Sequence, residues 1–143
     1  MMQENINALD EIHKGACMGE DALTYVMEKV EDHKFLSLLK KEYESYDGIT
    51  KKIEGVYSKY NDGKPHDTSI LNKMMTDLRV QFETMTDISN SHIAEFLLKG
   101  VNMGVIEGRR ILNQKKMNSE TRDIIKEYVT MQENFVEELK SYL

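Results

Sequence analysis

The chain has 143 residues, which fits one domain with its own hydrophobic core, here expected to span residues 1–143. Charged residues make up 31% and hydrophobic residues 40%, with one proline and no tryptophan, so helices are favoured over sandwiches and barrels, which need many turns. The formal net charge of −6 argues against a nucleic-acid partner, because duplex binders neutralise phosphates with basic residues. No apolar run approaches the roughly 20 residues that span a bilayer, so no membrane segment is predicted.

The cysteine content and the N-terminus indicate the compartment. Cys17 is a single cysteine, so neither a disulfide framework nor a cysteine zinc site is expected. The first residues, Met-Met-Gln-Glu-Asn, lack the basic and then apolar pattern of a signal peptide, so we expect a cytoplasmic protein. We interpret Cys17 as a small buried hydrophobic residue, with no histidine placed to pair with it for nucleophilic catalysis.

Two long helices are predicted in the first half of the chain. Apolar and small residues recur every three or four positions from about Asn5 to Val30, which is the period of an amphipathic helix. A second such pattern covers about His33 to Tyr60 and carries four tyrosines, interpreted as residues at the edge of the core. Asp32 lies in the short break between them and is predicted to cap the second helix.

The middle of the chain is predicted to be a crossover with a helix of its own. Residues 61–67 form the clearest turn, and a helical pattern then runs from Ser69 to about Asn113. One helix of that length would reach roughly 67 Å, which is too long for so small a domain. We place a break at Asp87–Ser91, where side chains that compete for backbone hydrogen bonds are dense. A short helix therefore precedes the break, and a long one runs from His92 to about Asn113.

The last helix is predicted from about Glu120 to Tyr142, with Asn118 or Ser119 as its cap. The chain also contains near copies 85 residues apart: Lys14–Gly19 returns as Lys99–Gly104, and Lys41-Glu42-Tyr43 returns as Lys126-Glu127-Tyr128. Two motifs in one register predict a duplicated helix pair, with pseudo-repeats at about 5–60 and 90–143 and a crossover at 61–89. The predicted fold is an all-α four-helix bundle with one long crossover that contains an extra helix.

Five glycines lie on or beside the inward faces of two predicted helices: Gly15, Gly19, Gly100, Gly104 and Gly108. Glycine inside a helix costs about 1 kcal/mol relative to alanine, and close approach of two helices is a physical return for that cost. We therefore predict that the glycine faces of the first and third long helices contact each other. The alternative is that each glycine accommodates a bulky side chain from across the bundle, such as Met18 or Met103.

The duplicated helix pair and the long crossover resemble the ferritin-like superfamily, in particular a group of small uncharacterised bacterial members of it. In metal-using members, the first and third long helices each supply a glutamate, and the other two each supply a Glu-x-x-His pair. Ser45 and Thr130 stand in this chain where those histidines are required. The resemblance therefore implies the fold without the usual di-iron or di-manganese centre.

Four residues are candidates for an altered metal-ligand set: Asp10, His13, Glu20 and Glu107. Asp10 and His13 share one helical face, and antiparallel pairing of the glycine segments would bring Glu107 close to them. Such a cluster suits one zinc or iron ion. The alternative for these residues is a solvated ion-pair network with Arg109 or Arg110.

The sequence predicts a non-catalytic helical-bundle module with an interaction or structural role and with no cofactor. Ten methionines are many for this length, and methionine side chains are typical of adaptable binding surfaces. We therefore expect self-association into a homodimer, with a protein partner as a further possibility. The alternative function is a metal-binding oxidoreductase or a metal-storage protein that uses iron, manganese or zinc.

Overall fold

The computed structural model describes residues 2–60, 68–114 and 116–143. These residues form five helices and no strand: α1 (Met2–Met27), α2 (His33–Tyr60), α3 (Thr68–Glu83), α4 (Asn90–Gln114) and α5 (Ser119–Lys140). Every helix end lies within about three residues of the predicted one. The turn predicted at 61–67 lies outside the described residues. Among the helices described, none combines the length and the apolar character needed to cross a bilayer.

Side-chain hydrogen bonds define the helix boundaries. Asp32 Oδ1 accepts from the backbone N–H of Phe35 at 2.9 Å, and Asn118 Oδ1 accepts from that of Thr121 at 2.9 Å. Both predicted caps are therefore confirmed. The break between α3 and α4 is confirmed as well, because Asp87 Oδ1 accepts from the backbone N–H of Ser89 at 3.0 Å and holds the chain in a turn.

The four long helices form two antiparallel hairpins that pack against each other. α1 pairs with α2 and α4 pairs with α5, and the hairpins meet through α2 on α5 and through α1 on α4 and α5. α3 lies in the crossover and packs on α1. This arrangement is the predicted all-α four-helix bundle with an extra helix in its long connection.

Aromatic contacts hold the outer parts of the bundle in place. Phe35 at the start of α2 stacks on Tyr142 beyond the end of α5, with ring centroids 4.2 Å apart. Phe82 anchors α3, because its ring is 3% exposed and lies 6.1 Å from Tyr25 of α1 and 6.0 Å from Phe96 of α4. Phe82 is therefore one of the contacts that hold α3 over the α1–α4 side of the bundle.

Candidate functional site

The glycines of α1 face aromatic side chains of the other helices. A Cβ atom at Gly19 would lie 2.7 Å from the ring of Tyr46 on α2, and one at Gly15 would overlap the hydroxyl of Tyr128 on α5. Real Cβ atoms do not approach other atoms so closely, so these two positions require glycine unless the tyrosine rings move.

Two glycines of α4 also face larger side chains of another helix. Gly104 faces the Gln132 amide and Gly108 faces Val129, both on α5. The predicted contact between the glycine faces of α1 and α4 is therefore wrong. The alternative interpretation is correct in kind, since four of the five glycines accommodate larger side chains, although these come from α2 and α5 and are not methionines.

The side chains admitted by the glycines meet at the centre of the bundle, in a central cluster of Tyr46, Tyr128 and Gln132. The Tyr46 hydroxyl donates to Gln132 Oε1 at 3.0 Å, and the two tyrosine rings lie 6.3 Å apart. All three residues are at most 2% exposed. Burial raises the pKa of both tyrosines above the ordinary value, so both hydroxyls are neutral at physiological pH.

An interhelical cavity of about 530 Å³ lies beside the central cluster, between α1 and α4 and beneath α3. The central cluster forms its floor together with Phe135. The facing walls carry the glycines, with Met18 and Ala22 on α1 and Phe96 and Met103 on α4. Met74, Leu78 and Gln81 of α3 cover it. The two glycine faces are thus separated by open space.

The cavity has two kinds of polar group. Glu11, Lys14, Lys99 and Glu107 line it with charges of both signs, and Lys99 also pairs with Glu95 at 3.3 Å. The second kind is the buried amide of Gln132. This residue is 1% exposed, and its Nε2 has no hydrogen-bond partner among the described residues. An amide in that state is unusual, since buried donors are almost always paired.

Three predicted metal-ligand candidates lie on the face of α1 that packs on α2. The Tyr57 hydroxyl donates to Asp10, the imidazole Nε2 of His13 lies 3.3 Å from Glu54 Oε1, and the Thr50 hydroxyl donates to Glu20 Oε1 at 3.2 Å. Burial, the largest effect, raises the pKa of Glu20.

Glu107, the fourth candidate, has different surroundings. It lines the interhelical cavity, and its carboxylate lies 3.6 Å from the guanidinium of Arg110, as in the predicted ion-pair alternative. Within the described residues, no group of three or more histidine, cysteine or acidic side chains is arranged to hold a metal ion. The ligand set of Asp10, His13, Glu20 and Glu107 stays a prediction.

Cys17 has a histidine neighbour that the sequence interpretation missed. Its Sγ lies 3.6 Å from Nδ1 of His13, one helical turn earlier, and Glu54 lies on the other side of the same imidazole. The four-residue spacing of His13 and Cys17 was a signal for this contact. Burial, followed by the charges of Glu20, Glu54 and Asp21, raises the thiol pKa to about 11, so the sulfur is a protonated thiol at neutral pH.

The centre of the bundle can be compared with what a di-metal centre requires. Such a centre needs four carboxylates and two histidines that project inward from the four helices. The side chains that meet here are two tyrosines and a glutamine, opposite glycines. This donor set does not fit a di-iron carboxylate centre.

A second buried polar group lies between α2 and α5. Glu42 is 4% exposed, and its Oε1 has no hydrogen-bond partner within the described part of the chain. Burial, and then the charge of Glu138, raises its pKa to about 8, although Lys41 acts in the opposite direction. The sequence pattern showed Glu42 merely as the start of an incomplete Glu-x-x-His pair and gave no signal of its burial.

Comparison with known proteins supports the fold. No protein-family model and no curated protein matches the chain. Among solved structures, the chain is similar to the bacterioferritin-related protein from Bacteroides fragilis, described as a dodecameric thioferritin. The TM-score is 0.78 at 14% sequence identity, over 99% of this chain and 85% of that chain. The chain therefore has a ferritin-like fold, which confirms the predicted resemblance.

Proposed function

We propose that this chain is a non-catalytic ferritin-like bundle that binds an apolar small molecule in the interhelical cavity. The observation that carries the proposal is the cavity itself. Its volume of about 530 Å³ lies within the range of small-molecule sites, and its lining is mainly apolar with a few polar groups.

The residues around the cavity suit a binding role. Met18, Met74 and Met103 line it from three different helices, and unbranched methionine side chains adapt to the shape of a ligand. α3 covers the cavity and is attached to α1 through two side chains, because Phe82 stacks on Tyr25 and Arg79 Nε donates to the Tyr25 hydroxyl at 2.8 Å. A small shift of α3 would admit a ligand.

Titration with the uncharged fluorescent probe N-phenylnaphthylamine tests this function. Gly100 lines the cavity, and no atom of the described residues lies within 4 Å of the position of a Cβ atom there. We therefore expect the leucine side chain of Gly100→Leu to fill part of the cavity, because its first atom meets open space. Gly55→Leu is the matched control, because Gly55 also has open space around it and does not line the cavity.

We expect saturable binding of one probe per chain, weakened about tenfold or more by Gly100→Leu and unchanged by Gly55→Leu. Both variants replace a helical glycine with a better helix former, so both are expected to fold. Absence of saturable binding, or equal binding by wild type and Gly100→Leu, would overturn the proposal.

A second candidate function is metal binding or storage with an altered ligand set, which the similarity to a thioferritin favours. Asp10, His13, Glu20 and Glu107 are the proposed ligands. Metal analysis of protein purified without chelator tests it. Stoichiometric iron, manganese or zinc that Glu107→Gln removes would support this function, and metal-free protein would contradict it.

We also propose that the chain self-associates as a homodimer. Met103 is 71% exposed and Ile106 is 55% exposed, three residues apart on one face of α4. The similar thioferritin is described as dodecameric, which supports self-association in general. In sedimentation velocity, Ile106→Lys should dissociate the dimer and Ser58→Lys, at an exposed position on α2, should not. A monomeric wild type would contradict self-association, and a larger oligomer would contradict the dimer.

The location is proposed to be cytoplasmic. Cys17 is a free thiol, as is usual in a reducing compartment. Fractionation of cells that express tagged full-length protein would test this, and recovery in the extracellular fraction would contradict it.

A further inference from the structure

The Gln132 side chain is only half paired, although it is almost completely buried. Its Oε1 accepts the hydrogen bond from Tyr46 at 3.0 Å, whereas its Nε2 has no partner within the described residues. Leaving a buried amide donor unpaired destabilises a protein, because the donor has lost its hydrogen bonds to water and gained none in return. An unpaired donor in the middle of a bundle therefore points to a partner that joins the site from outside the chain.

The unpaired donor belongs to the floor of the interhelical cavity. Gln132 lines the cavity beside Phe135 and Tyr128. Burial raises the pKa of Tyr128, and the Gln132 side chain acts in the opposite direction, so the amide lies near the Tyr128 hydroxyl. The geometry of this contact is not that of a hydrogen bond, and Nε2 has no partner within the described residues. A ligand that reaches the floor of the cavity therefore meets the unpaired Gln132 donor at the bottom of a mainly apolar space.

We infer that the cavity selects uncharged molecules whose apolar body carries a carbonyl oxygen, as in ketones, esters, amides and quinones. This inference rests on the proposed binding function. A carbonyl oxygen accepts the hydrogen bond that Gln132 Nε2 lacks, whereas a hydrocarbon leaves the donor unpaired. A carboxylate would lose its hydration on entering the cavity, and one hydrogen bond from a neutral donor does not compensate for burying a full charge.

Charges at the edge of the cavity do not alter this selectivity. Lys14 and Lys99 are matched in number by Glu11 and Glu107 among the residues that line the cavity. An anionic ligand therefore gains no net field there, and the buried amide remains the distinguishing polar contact.

Competition against N-phenylnaphthylamine tests the inference with three ligands of similar size. They are the hydrocarbon hexylbenzene, the ketone hexanophenone and the carboxylate 6-phenylhexanoate. Wild type is compared with the double variant Tyr46→Phe/Gln132→Met, which removes both partners of the internal hydrogen bond and keeps their approximate shape. Tyr142→Phe is the matched control, because it removes a tyrosine hydroxyl at a half-buried position that does not line the cavity.

We expect wild type and Tyr142→Phe to bind hexanophenone about tenfold more tightly than hexylbenzene, with the carboxylate 6-phenylhexanoate the weakest. The preference should fall to within about twofold in the double variant. Equal affinities in wild type, a preference that persists in the double variant, or tightest binding of phenylhexanoate would overturn the inference.

The same experiment separates this inference from the proposed function. Equal binding of the ketone and the hydrocarbon, both weakened by Gly100→Leu, would refute carbonyl selectivity and leave apolar ligand binding standing. Failure of every ligand to displace the probe, or to respond to Gly100→Leu, would refute both.

Discussion

The Tyr46 hydroxyl donates a 3.0 Å hydrogen bond to the side-chain oxygen of Gln132 across the centre of the bundle. It joins α2 of the first hairpin to α5 of the second at a point from which water is almost excluded, since the two residues are 2% and 1% exposed. Because the bond uses the amide oxygen, the nitrogen is the atom left unpaired beside the cavity.

Tyr46→Phe should lower the free energy of unfolding by about 1–2 kcal/mol, because it leaves the buried Gln132 oxygen without its donor. Urea denaturation followed by circular dichroism measures the change. Tyr142→Phe is the control, since Tyr142 is half-buried beyond the end of α5, and we expect a change below about 0.5 kcal/mol. Equal losses of unfolding free energy in the two variants would show that the hydrogen bond between Tyr46 and Gln132 does not contribute to stability.

Alanine substitutions at Gly19 and Gly100 should change stability in opposite directions. Gly19→Ala places a Cβ atom 2.7 Å from the buried Tyr46 ring and should destabilise the protein by about 1–3 kcal/mol. Gly100→Ala meets open space and should stabilise it by up to about 1 kcal/mol through helix propensity. Chemical denaturation of both variants is the measurement, and a change of the same sign in both would contradict the observed packing.

Glu42 should make stability fall as the pH rises. Its pKa is about 8 in the folded protein, above the ordinary value of 4.5, so the native state favours the protonated carboxyl. This stabilisation is fully present below about pH 4.5 and is lost as the pH rises through about 8. Ionised Glu42 would then be a buried charge beside Glu138, with Lys41 as partial compensation.

Glu42→Gln should therefore be more stable than wild type by about 1–3 kcal/mol at pH 9, and within about 1 kcal/mol of it at pH 5. Denaturant unfolding across this pH range is the measurement. Glu44→Gln, at an exposed position on the same helix, is the control and should show no such pH dependence. A constant difference between Glu42→Gln and wild type across the range would rule out the buried ionisation.

Cys17 should react slowly with iodoacetamide, because the thiolate is the reactive form and the thiol pKa is about 11. At pH 8 we expect alkylation of the folded protein to be at least about tenfold slower than that of the urea-unfolded protein. The rate in the folded state should rise about tenfold per pH unit toward pH 10. Mass spectrometry follows the reaction, and equal rates in folded and unfolded protein would contradict the assigned environment of the thiol.

Local features of the fold could be predicted from the sequence because their causes are local. Asp32 and Asn118 accept hydrogen bonds from backbone groups three residues away, and the period of the apolar residues indicates which segments are helical. The break before α4 was predictable for the same reason, since Asp87 hydrogen-bonds within its own turn.

The candidate site was less predictable, because it depends on which side chains lie opposite one another. Helical periodicity placed Gly19 and Gly104 on inward faces but could not show that Tyr46 and Gln132 would occupy the space in front of them. The sequence interpretation also placed the tyrosines of α2 at the edge of the core, whereas Tyr46 lies at its centre. The cavity depends on which side chains of one hairpin lie opposite the other hairpin, and the composition of the chain does not show this.

A crystal structure determined under xenon pressure tests the central claim most directly, because xenon enters dry apolar cavities without needing a specific ligand. The structure predicts xenon density between α1 and α4, in the space beside Gly19 and Gly104 and above the Tyr46–Gln132 hydrogen bond. Direct contact of α1 with α4 at these glycines, with no xenon between them, would contradict it.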